Sequence, residues 1–214
     1  LGGELHAVVA EILPVTSGRG PLAGMPYVVK DMFANGVLAP TWGCSEPPVV
    51  LSPRAPVLER LDGAGACLIA TAEMTELAYE PSGYNPLRGS AINPWHSDFV
   101  TGGSSSGPAV LVASGCCYVA LGSDSGGSVR IPAHCCGVTA LKPSWGVIPV
   151  DGAMPLAPSL DTIGILARSA ADLAQVWPVI SGRAKSPSLP RLSAVMLADA
   201  FSNSDADIAR VCRQ

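Results

Sequence analysis

Charged residues are scarce in this sequence, and basic residues are the scarcer kind. Only 14% of the 214 residues are charged, and 13 Lys and Arg stand against 17 Asp and Glu, for a formal net charge of −4. Binding to the phosphates of a nucleic acid needs a surplus of positive charge. Hydrophobic residues make up 48% of the chain, more than a disordered chain contains. The composition therefore predicts a folded protein with a buried core and argues against nucleic acid as a partner.

The cysteine spacing of a zinc site or a disulfide framework is also missing. The seven cysteines form no C-x-x-C and include two adjacent pairs, Cys116-Cys117 and Cys135-Cys136. Buried, reduced thiols fit this pattern, and thiols stay reduced in the cytoplasm. We therefore expect a cytoplasmic protein that holds no metal ion.

Long hydrophobic runs are absent as well. The longest uncharged stretch, residues 99–123, contains five glycines and five serines, which break its apolar character. No basic stretch followed by an apolar segment opens the chain, although a start at Leu1 gives this absence little weight. We expect neither a transmembrane helix nor a membrane partner.

Segments with strand character alternate with segments typical of helices. Strands are expected at residues 26–30, 66–70, 117–122, 137–141 and 194–197, helices at 55–61, 108–114 and 170–176, a linker at 181–190 and a last helix from about Ser204. Alternation of this kind indicates an α/β fold, and strands that are apolar throughout are covered on both faces. We predict a central mixed, largely parallel β-sheet flanked by helices, with the active residues in loops at the strand ends.

Two loops rich in glycine and serine, residues 102–107 and 122–130, each precede a helix-like segment. Glycines allow backbone N–H groups to converge on an anion, and serines can supply a nucleophile and proton carriers. Either loop alone is typical of an ordinary connection.

Lys30 is the third unusual feature. The chain has only three lysines, and this one ends an apolar strand and precedes Asp31. Burial disfavours the charged form of a lysine and can turn it into a general base at neutral pH. A lysine that keeps its amine in water beside Asp31 is the ordinary alternative. The three features together indicate a catalytic site.

These segments resemble the amidase signature family. The family's glycine- and serine-rich region is matched by residues 102–143, its lysine strand by residues 24–31, and its next loop and helix by residues 158–164 and 167–173. Several matches in the same order are more specific than one short motif. The resemblance covers nearly the whole chain and implies a single partial amidase domain over residues 1–214, truncated at both ends, because family members are longer.

The resemblance also implies roles for individual residues. Ser128 would be the nucleophile that forms an acyl-enzyme, Ser104 the bridging serine on a cis peptide, and Lys30 the base. The separation from Ser128 in the family pattern selects Ser104 from its triplet. The expected oxyanion hole consists of the backbone N–H groups of Ser125, Gly126, Gly127 and Ser128. The expected supporting residues are Ser105, Asp124 and Arg130, the last two holding the loop or contacting substrate.

The function implied is hydrolysis of a carboxamide to an acid and an amine or ammonia, without a cofactor. A small-molecule amide is the expected substrate, and a homodimer is compatible with the sequence. Two alternatives stay open: a non-catalytic module with the same fold, and the glutamine-hydrolysing component of a tRNA-dependent amidotransferase, which releases ammonia from glutamine.

Residues 103–107 also fit the motif G-x-S-x-G, which would make Ser105 the nucleophile of an α/β-hydrolase. That reading requires a histidine well downstream of the serine. The three histidines are His6, His96 and His134; the first two precede Ser105, and the third lies in a helix-like segment after the 122–130 loop. The α/β-hydrolase alternative is therefore weak.

Overall fold

The structure is a computed structural model and describes residues 3–14, 18–46, 53–183 and 204–212. The chain divides into two units, Leu1–Arg183 and Ala184–Gln214. The first unit contains all the strands that the structure describes. They are β1 (Val8–Glu11), β2 (Pro26–Lys30), β3 (Cys67–Ala72), β4 (Val119–Asp124), β5 (Thr139–Leu141) and β6 (Thr162–Ala167).

The strands form one mixed sheet in the order β1-β3-β2-β4-β6-β5. The three neighbouring strands β3, β2 and β4 are parallel, whereas β1, β6 and β5 pair antiparallel to their neighbours. Because the carboxyl ends of parallel strands lie at one edge, Lys30 at the end of β2 and Asp124 at the end of β4 come close together.

Helices cover both faces of the sheet. They are α1 (Pro56–Gly63), α2 (Ser106–Ala113), α3 (Arg130–Cys136) and α4 (Ala170–Ser181), with 3₁₀ turns at Gly3–Leu5 and Glu76–Ala78. The side chains of β2 alternate between two cores: Tyr27 and Val29 pack with residues of α1 and α4, and Val28 packs with α2 and α3. A helix that is apolar all round is a buried helix, and the first seven residues of α2 are all buried.

Local sequence explains where these helices begin and end. Pro56 occupies the first turn of α1, where a missing N–H does no harm. The hydroxyl of Ser169 accepts from the N–H of Asp172 and caps α4, which ends at Gly182 in the left-handed conformation with φ of 66°. A bond of 2.6 Å from Arg60 Nη1 to the carbonyl of Ile180 ties α1 to the last turn of α4.

Most of the predicted elements are confirmed, with ends that differ by a few residues. The predicted strand at 26–30 is β2 itself, and those at 66–70, 117–122 and 137–141 are β3, β4 and β5. The three predicted helices are α1, α2 and α4. The predicted strand at 194–197 and most of the predicted linker at 181–190 lie outside the described residues.

The sheet is less parallel than predicted. The mixed α/β class is confirmed, but three of the five strand pairs are antiparallel. Two strands were missing from the prediction: β1, and β6, whose first residues were assigned to a loop. Gly164 in the middle of β6 weakens its strand signal, because glycine is a poor strand former. Its partner in the sheet is also a glycine, Gly122 of β4.

The described part of the second unit is a short helix, α5 (Ala206–Cys212), close to the predicted start at Ser204. Within it, Arg210 and Asp207 form an exposed ion pair. Across the described ranges of both units, no helix has the length and apolar character needed to cross a bilayer. That residues 1–214 form a single domain stays a prediction.

The packing of α2 against the sheet gives a first test. A Cβ at Gly107 would lie 2.6 Å from the carbonyl oxygen of Glu73 and 2.6 Å from that of Ala7. Gly107→Ala should therefore lower the free energy of unfolding by about 3 kcal/mol, because neither backbone can move away freely. Urea unfolding followed by circular dichroism measures the change.

Gly63 in α1 is the matched control, because a Cβ there meets nothing within 4 Å. Gly63→Ala should leave stability unchanged or raise it by up to about 1 kcal/mol, as helix propensity predicts. Equal unfolding midpoints for the two alanine variants would contradict this description of the α2 packing.

Candidate active site

Lys30 lies at the carboxyl end of the central strand β2 and is completely buried. Its Nζ donates a hydrogen bond to Ser104 Oγ at 2.6 Å and a second one to Ser123 Oγ at 2.9 Å. The ordinary alternative, a lysine at the surface beside Asp31, is therefore wrong. Two hydroxyls contact the amine directly, and no carboxylate of the described residues does so.

Burial lowers the pKa of Lys30 from 10.5 to about 7, because the charged ammonium loses its hydration inside the protein. The negative charges of Asp124 and Asp161 act in the opposite direction and raise the pKa, but the loss of hydration is the larger effect. A substantial fraction of the Lys30 amines is therefore neutral at pH 7. A neutral amine can accept a proton, which an ammonium cannot do.

The serine triplet ahead of α2 places its three hydroxyls in different environments. Ser104 is fully buried against Lys30, and the Gly103–Ser104 peptide is cis, as the resemblance implies. Ser105 Oγ is 3.5 Å from the carbonyl of Ser123, and Ser106 Oγ is buried with no hydrogen-bond partner among the described residues. The structure thus brings Ser104, and neither of its neighbours, to the lysine.

Ser128 lies in the loop between β4 and α3 and is only partly buried. The N–H of Ser105 donates to the carbonyl of Ser128 at 3.1 Å, which ties the triplet to this loop. The serine triplet packs so closely against β4 that position 122 must be glycine, because a Cβ there would be 2.5 Å from Ser105 Oγ. A similar limit holds at Gly164, where a Cβ would be 2.9 Å from a methyl of Val129.

Asp124, the last residue of β4, binds the backbone of the Ser128 loop. Its buried carboxylate accepts the N–H groups of Gly127, Val129 and Arg130, and the Arg130 guanidinium binds it through two nitrogens at 2.9 and 3.0 Å. These bonds keep the pKa of Asp124 below its usual value, although burial opposes them. The contacts fit a residue that shapes the loop.

The amide of Gly127 differs from the sequence expectation. It donates to Asp124 Oδ1 at 2.9 Å, because the carboxylate at the strand end reaches forward over the turn that follows it. The N–H groups of Ser125, Gly126 and Ser128 have no hydrogen-bond acceptor among the described residues. Gly126 is also exposed. Three of the four expected oxyanion donors are therefore free to bind a substrate oxygen.

Sequence reasoning missed Ser123 and Asp161. Ser123 lies in the predicted loop 122–130, beside Asp124, but neither that position nor the resemblance gave it a role. Asp161 lies within the matched segment 158–164 but received no role either. Its buried carboxylate accepts a hydrogen bond from the Ser125 hydroxyl. Ser123 and Asp161 also line the same small cavity, of about 60 Å³.

A second buried cluster lies beside the lysine. Arg88 contacts Asp31 Oδ2 at 3.3 Å and Glu73 Oε2 at 3.2 Å, and it also hydrogen-bonds to Thr41. Burial raises the pKa of both carboxyl groups, and the Arg88 charge partly offsets this. Arg88 therefore links the loop after β2 to the loop after β3. None of these contacts was foreseen, since the three side chains are far apart in sequence.

The six cysteines whose side chains are described, Cys44, Cys67, Cys116, Cys117, Cys135 and Cys136, are all free thiols. Burial raises the pKa of Cys136 to about 12, and the neighbouring Cys135 adds to the effect. Within the described ranges, no three histidine, cysteine, aspartate or glutamate side chains are grouped closely enough to hold a metal ion.

The arrangement can move protons between hydroxyls. A buried amine with a lowered pKa contacts the hydroxyls of Ser104 and Ser123. Ser128 is partly exposed on a loop that is hydrogen-bonded to the serine triplet, and three backbone N–H groups of that loop have no acceptor among the described residues. A base, a nucleophile and donors for a developing oxyanion are the components of acyl transfer.

Two of the curated proteins similar to this chain are the A subunits of bacterial glutamyl-tRNA(Gln) amidotransferases. The protein from Symbiobacterium thermophilum is 42% identical over 164 residues, 76% of this chain and 34% of the relative. The protein from Deinococcus radiodurans is 42% identical over 163 residues, with the same coverage of both chains. The chain thus spans about a third of the length of these relatives.

Solved structures agree with the sequence matches. The corresponding glutamyl-tRNA(Gln) amidotransferase component from Thermotoga maritima superposes with a TM-score of 0.79 at 32% identity, over 86% of this chain and 41% of that one. The peptide amidase from Stenotrophomonas maltophilia gives a TM-score of 0.76 at 31% identity, over 86% and 42%.

The family model described as Amidase matches residues 9–211, which include every element from β2 to α4 and the two glycine- and serine-rich loops. The resemblance stated from the sequence is therefore confirmed: this chain belongs to the amidase signature family.

Proposed function

We propose that the whole protein is an amidase that hydrolyses a carboxamide through an acyl-enzyme on Ser128, with Ser104 and Lys30 as its proton relay. The contact of 2.6 Å between the completely buried Lys30 amine and the Ser104 hydroxyl carries this proposal. A structural lysine would have a carboxylate partner, because an unpaired buried ammonium is costly. This amine has two serine hydroxyls and a pKa near neutrality instead.

Ser123 gives the amine its orientation in this mechanism. A neutral amine has two N–H bonds and one lone pair. If one N–H stays on Ser123 Oγ, the lone pair can face Ser104, and the contact of 2.6 Å then runs from the Ser104 hydroxyl to the lysine. Lys30 takes the proton of Ser104, Ser104 takes the proton of Ser128, and Ser128 Oγ attacks the amide carbon.

The attack forms a C–O bond and moves the carbonyl electrons onto oxygen, which the N–H groups of Ser125, Gly126 and Ser128 would stabilise. The C–N bond then breaks, and the leaving nitrogen receives its proton from Lys30 through Ser104. Water repeats the sequence in the second half: its oxygen attacks the acyl-enzyme, its proton enters the relay, and an acid leaves as Ser128 regains its hydrogen.

A second candidate function comes from the similar proteins. The curated relatives named above are components of glutamyl-tRNA(Gln) amidotransferases. The same relay could release ammonia from glutamine, so the geometry supports both reactions. The non-catalytic alternative has less support, because the lysine and both serines are present and the Lys30 amine contacts the Ser104 hydroxyl. A small-molecule amide as substrate and a cytoplasmic location belong to the proposal.

The nucleophile can be tested by labelling. A fluorophosphonate should modify Ser128 of the folded chain, because such probes capture activated serines, and Ser128→Ala should abolish labelling. Mass-spectrometric peptide mapping identifies the modified residue, and circular dichroism confirms the fold. Ser114→Ala is a matched control, since this exposed hydroxyl bonds, within the described part of the chain, to the carbonyl of Leu111 and to Cys116. An adduct on Ser105, or full labelling of Ser128→Ala, would refute the assignment.

The base can be tested by the pH dependence of labelling. The Lys30 pKa of about 7 means that the amine is neutral above pH 7 and protonated below it. The labelling rate should therefore fall about tenfold per pH unit below pH 7, as the active fraction of the base falls. A rate that stays constant from about pH 8 to about pH 5.5 would rule out the lysine base.

Lys30→Met keeps a long side chain but removes the amine. It should lower the labelling rate by about a hundred- to ten-thousand-fold and remove the pH dependence of that rate. Lys142→Met is the matched control, because Lys142 donates to the carbonyl of Pro143 and does not contact the relay. Its labelling rate and pH profile should be those of the unchanged chain.

A substrate panel separates the two candidate functions. Hydrolysis of simple carboxamides in the absence of tRNA, lost in Ser128→Ala, is the result expected of a free-standing amidase. Ammonia release from glutamine alone would favour the amidotransferase component. Product acids and ammonia are measured together, so each result is visible in one assay.

A further inference from the structure

Asp161 is a buried carboxylate next to the relay to which the mechanism above gives no part. It directly precedes β6, whose residues Thr162 and Ile163 pair with Asp124 and Ser123 of β4. Continuing this antiparallel register by one residue places Asp161 opposite Ser125. Their side chains are hydrogen-bonded, with the Ser125 hydroxyl donating to Asp161 Oδ1.

The remaining bonds to Asp161 come from the backbone. Oδ2 accepts the N–H groups of Leu156 and Ala157 at 2.9 Å each, and Oδ1 accepts that of Ala157 at 3.0 Å. The carboxylate is thus fixed on one side by a loop of its own segment. On the other side it holds the first residue of the Ser128 loop.

The carboxylates around Lys30 differ in whether a cationic side chain is paired with them. Asp124 from β4 is paired with Arg130, and Asp31 next to Lys30 shares Arg88 with Glu73 from the end of β3. Asp161 has only neutral donors, and no arginine, lysine or histidine pairs with it among the described residues. A carboxylate without a cation partner exerts its full charge on its neighbours.

We propose that Asp161 is a positioning residue of the relay: it fixes the Ser128 loop through the Ser125 hydroxyl, and its uncompensated charge acts on the Lys30 amine across the cavity that it shares with Ser123. The cavity of about 60 Å³ is lined by Asp161 and by Ser123, whose hydroxyl contacts Lys30. This inference deepens the proposed function, since it concerns the base assigned there.

The charge of Asp161 adds to that of Asp124, which has the larger effect of the two, in setting the pH range in which the base works. A negative charge favours the ammonium form and raises the pKa of Lys30, against the larger effect of burial. Without it, the amine would be neutral over a wider pH range but would also be a weaker base. A base works best when its pKa is near the operating pH.

The titration of Lys30 can be observed directly by NMR of ¹⁵N-labelled lysine side chains. The full chain has only three lysines, so Lys30→Met assigns the signal. We expect Asp161→Asn to lower the titration midpoint of Lys30 by about one pH unit, because the carboxylate charge is removed. Ser125→Ala keeps the charge and should leave the midpoint unchanged, while it slows fluorophosphonate labelling of Ser128 because the loop loses its anchor.

Asp172→Asn is the matched control: Asp172, in the first turn of α4, pairs with Arg168, and its replacement should change neither the Lys30 midpoint nor the labelling of Ser128. Circular dichroism checks each fold, and Asp161→Ser replaces Asp161→Asn if the latter does not fold. An unchanged midpoint in a folded variant without the Asp161 charge would overturn the proposal. So would an equal shift in Ser125→Ala, which would assign the effect to loop position instead of charge.

The NMR measurement needs no turnover. A chain that is not labelled at Ser128 but whose Lys30 midpoint falls in Asp161→Asn would support the charge relation and refute the proposed nucleophile. The two proposals therefore fail separately.

Discussion

The structure depends on one buried amine. Lys30 ends the central strand of the sheet with no exposed surface, and its protonated form is disfavoured there. A pKa lowered from 10.5 to about 7 corresponds to a loss of about 5 kcal/mol in the stability of the ammonium relative to water. The pKa of the amine stays low only if its neighbours offer hydrogen bonds and no carboxylate is in direct contact, because a carboxylate would stabilise the ammonium form. Ser104 and Ser123 supply those bonds, and the carboxylate of Asp124, the residue after Ser123, is paired with Arg130.

The parallel centre of the sheet explains how these groups meet. β2 and β4 end at the same edge, so Lys30, Ser123 and Asp124 need only their strand positions to come together. Ser104 is added by the turn ahead of α2, a helix so completely buried that it can shift little. The antiparallel strand β6 begins at this same edge, and Asp161 directly before it therefore joins the site. Mixed topology is part of the site, since a parallel neighbour of β4 would begin at the opposite edge.

The sequence predicted the parts of the fold that depend on short-range pattern. Apolar runs indicated the central strands, and the composition of the two loops together with Lys30 indicated the catalytic candidates. Long-range pairing could not be predicted in this way. Arg88 finds Asp31 and Glu73 only after folding, and Ser125 faces Asp161 only because β4 and β6 are adjacent. β6 itself was not predicted because Gly164 weakens its strand pattern. Glycine is required at this position because a Cβ would be too close to the Val129 side chain.

The proposed relay would meet two requirements that a single residue cannot meet at once. A lysine must be shielded from water to be neutral near pH 7, whereas a nucleophile must reach a substrate that arrives from water. Lys30 and Ser104 are fully buried, Ser128 is partly exposed, and Gly126 beside it is open to solvent. In the proposed relay, the hydroxyl of Ser104 would pass the proton of Ser128 to Lys30, so that the lysine could stay buried away from water. A lysine long enough to touch the substrate itself would regain its hydration, and with it a pKa too high for a base at neutral pH.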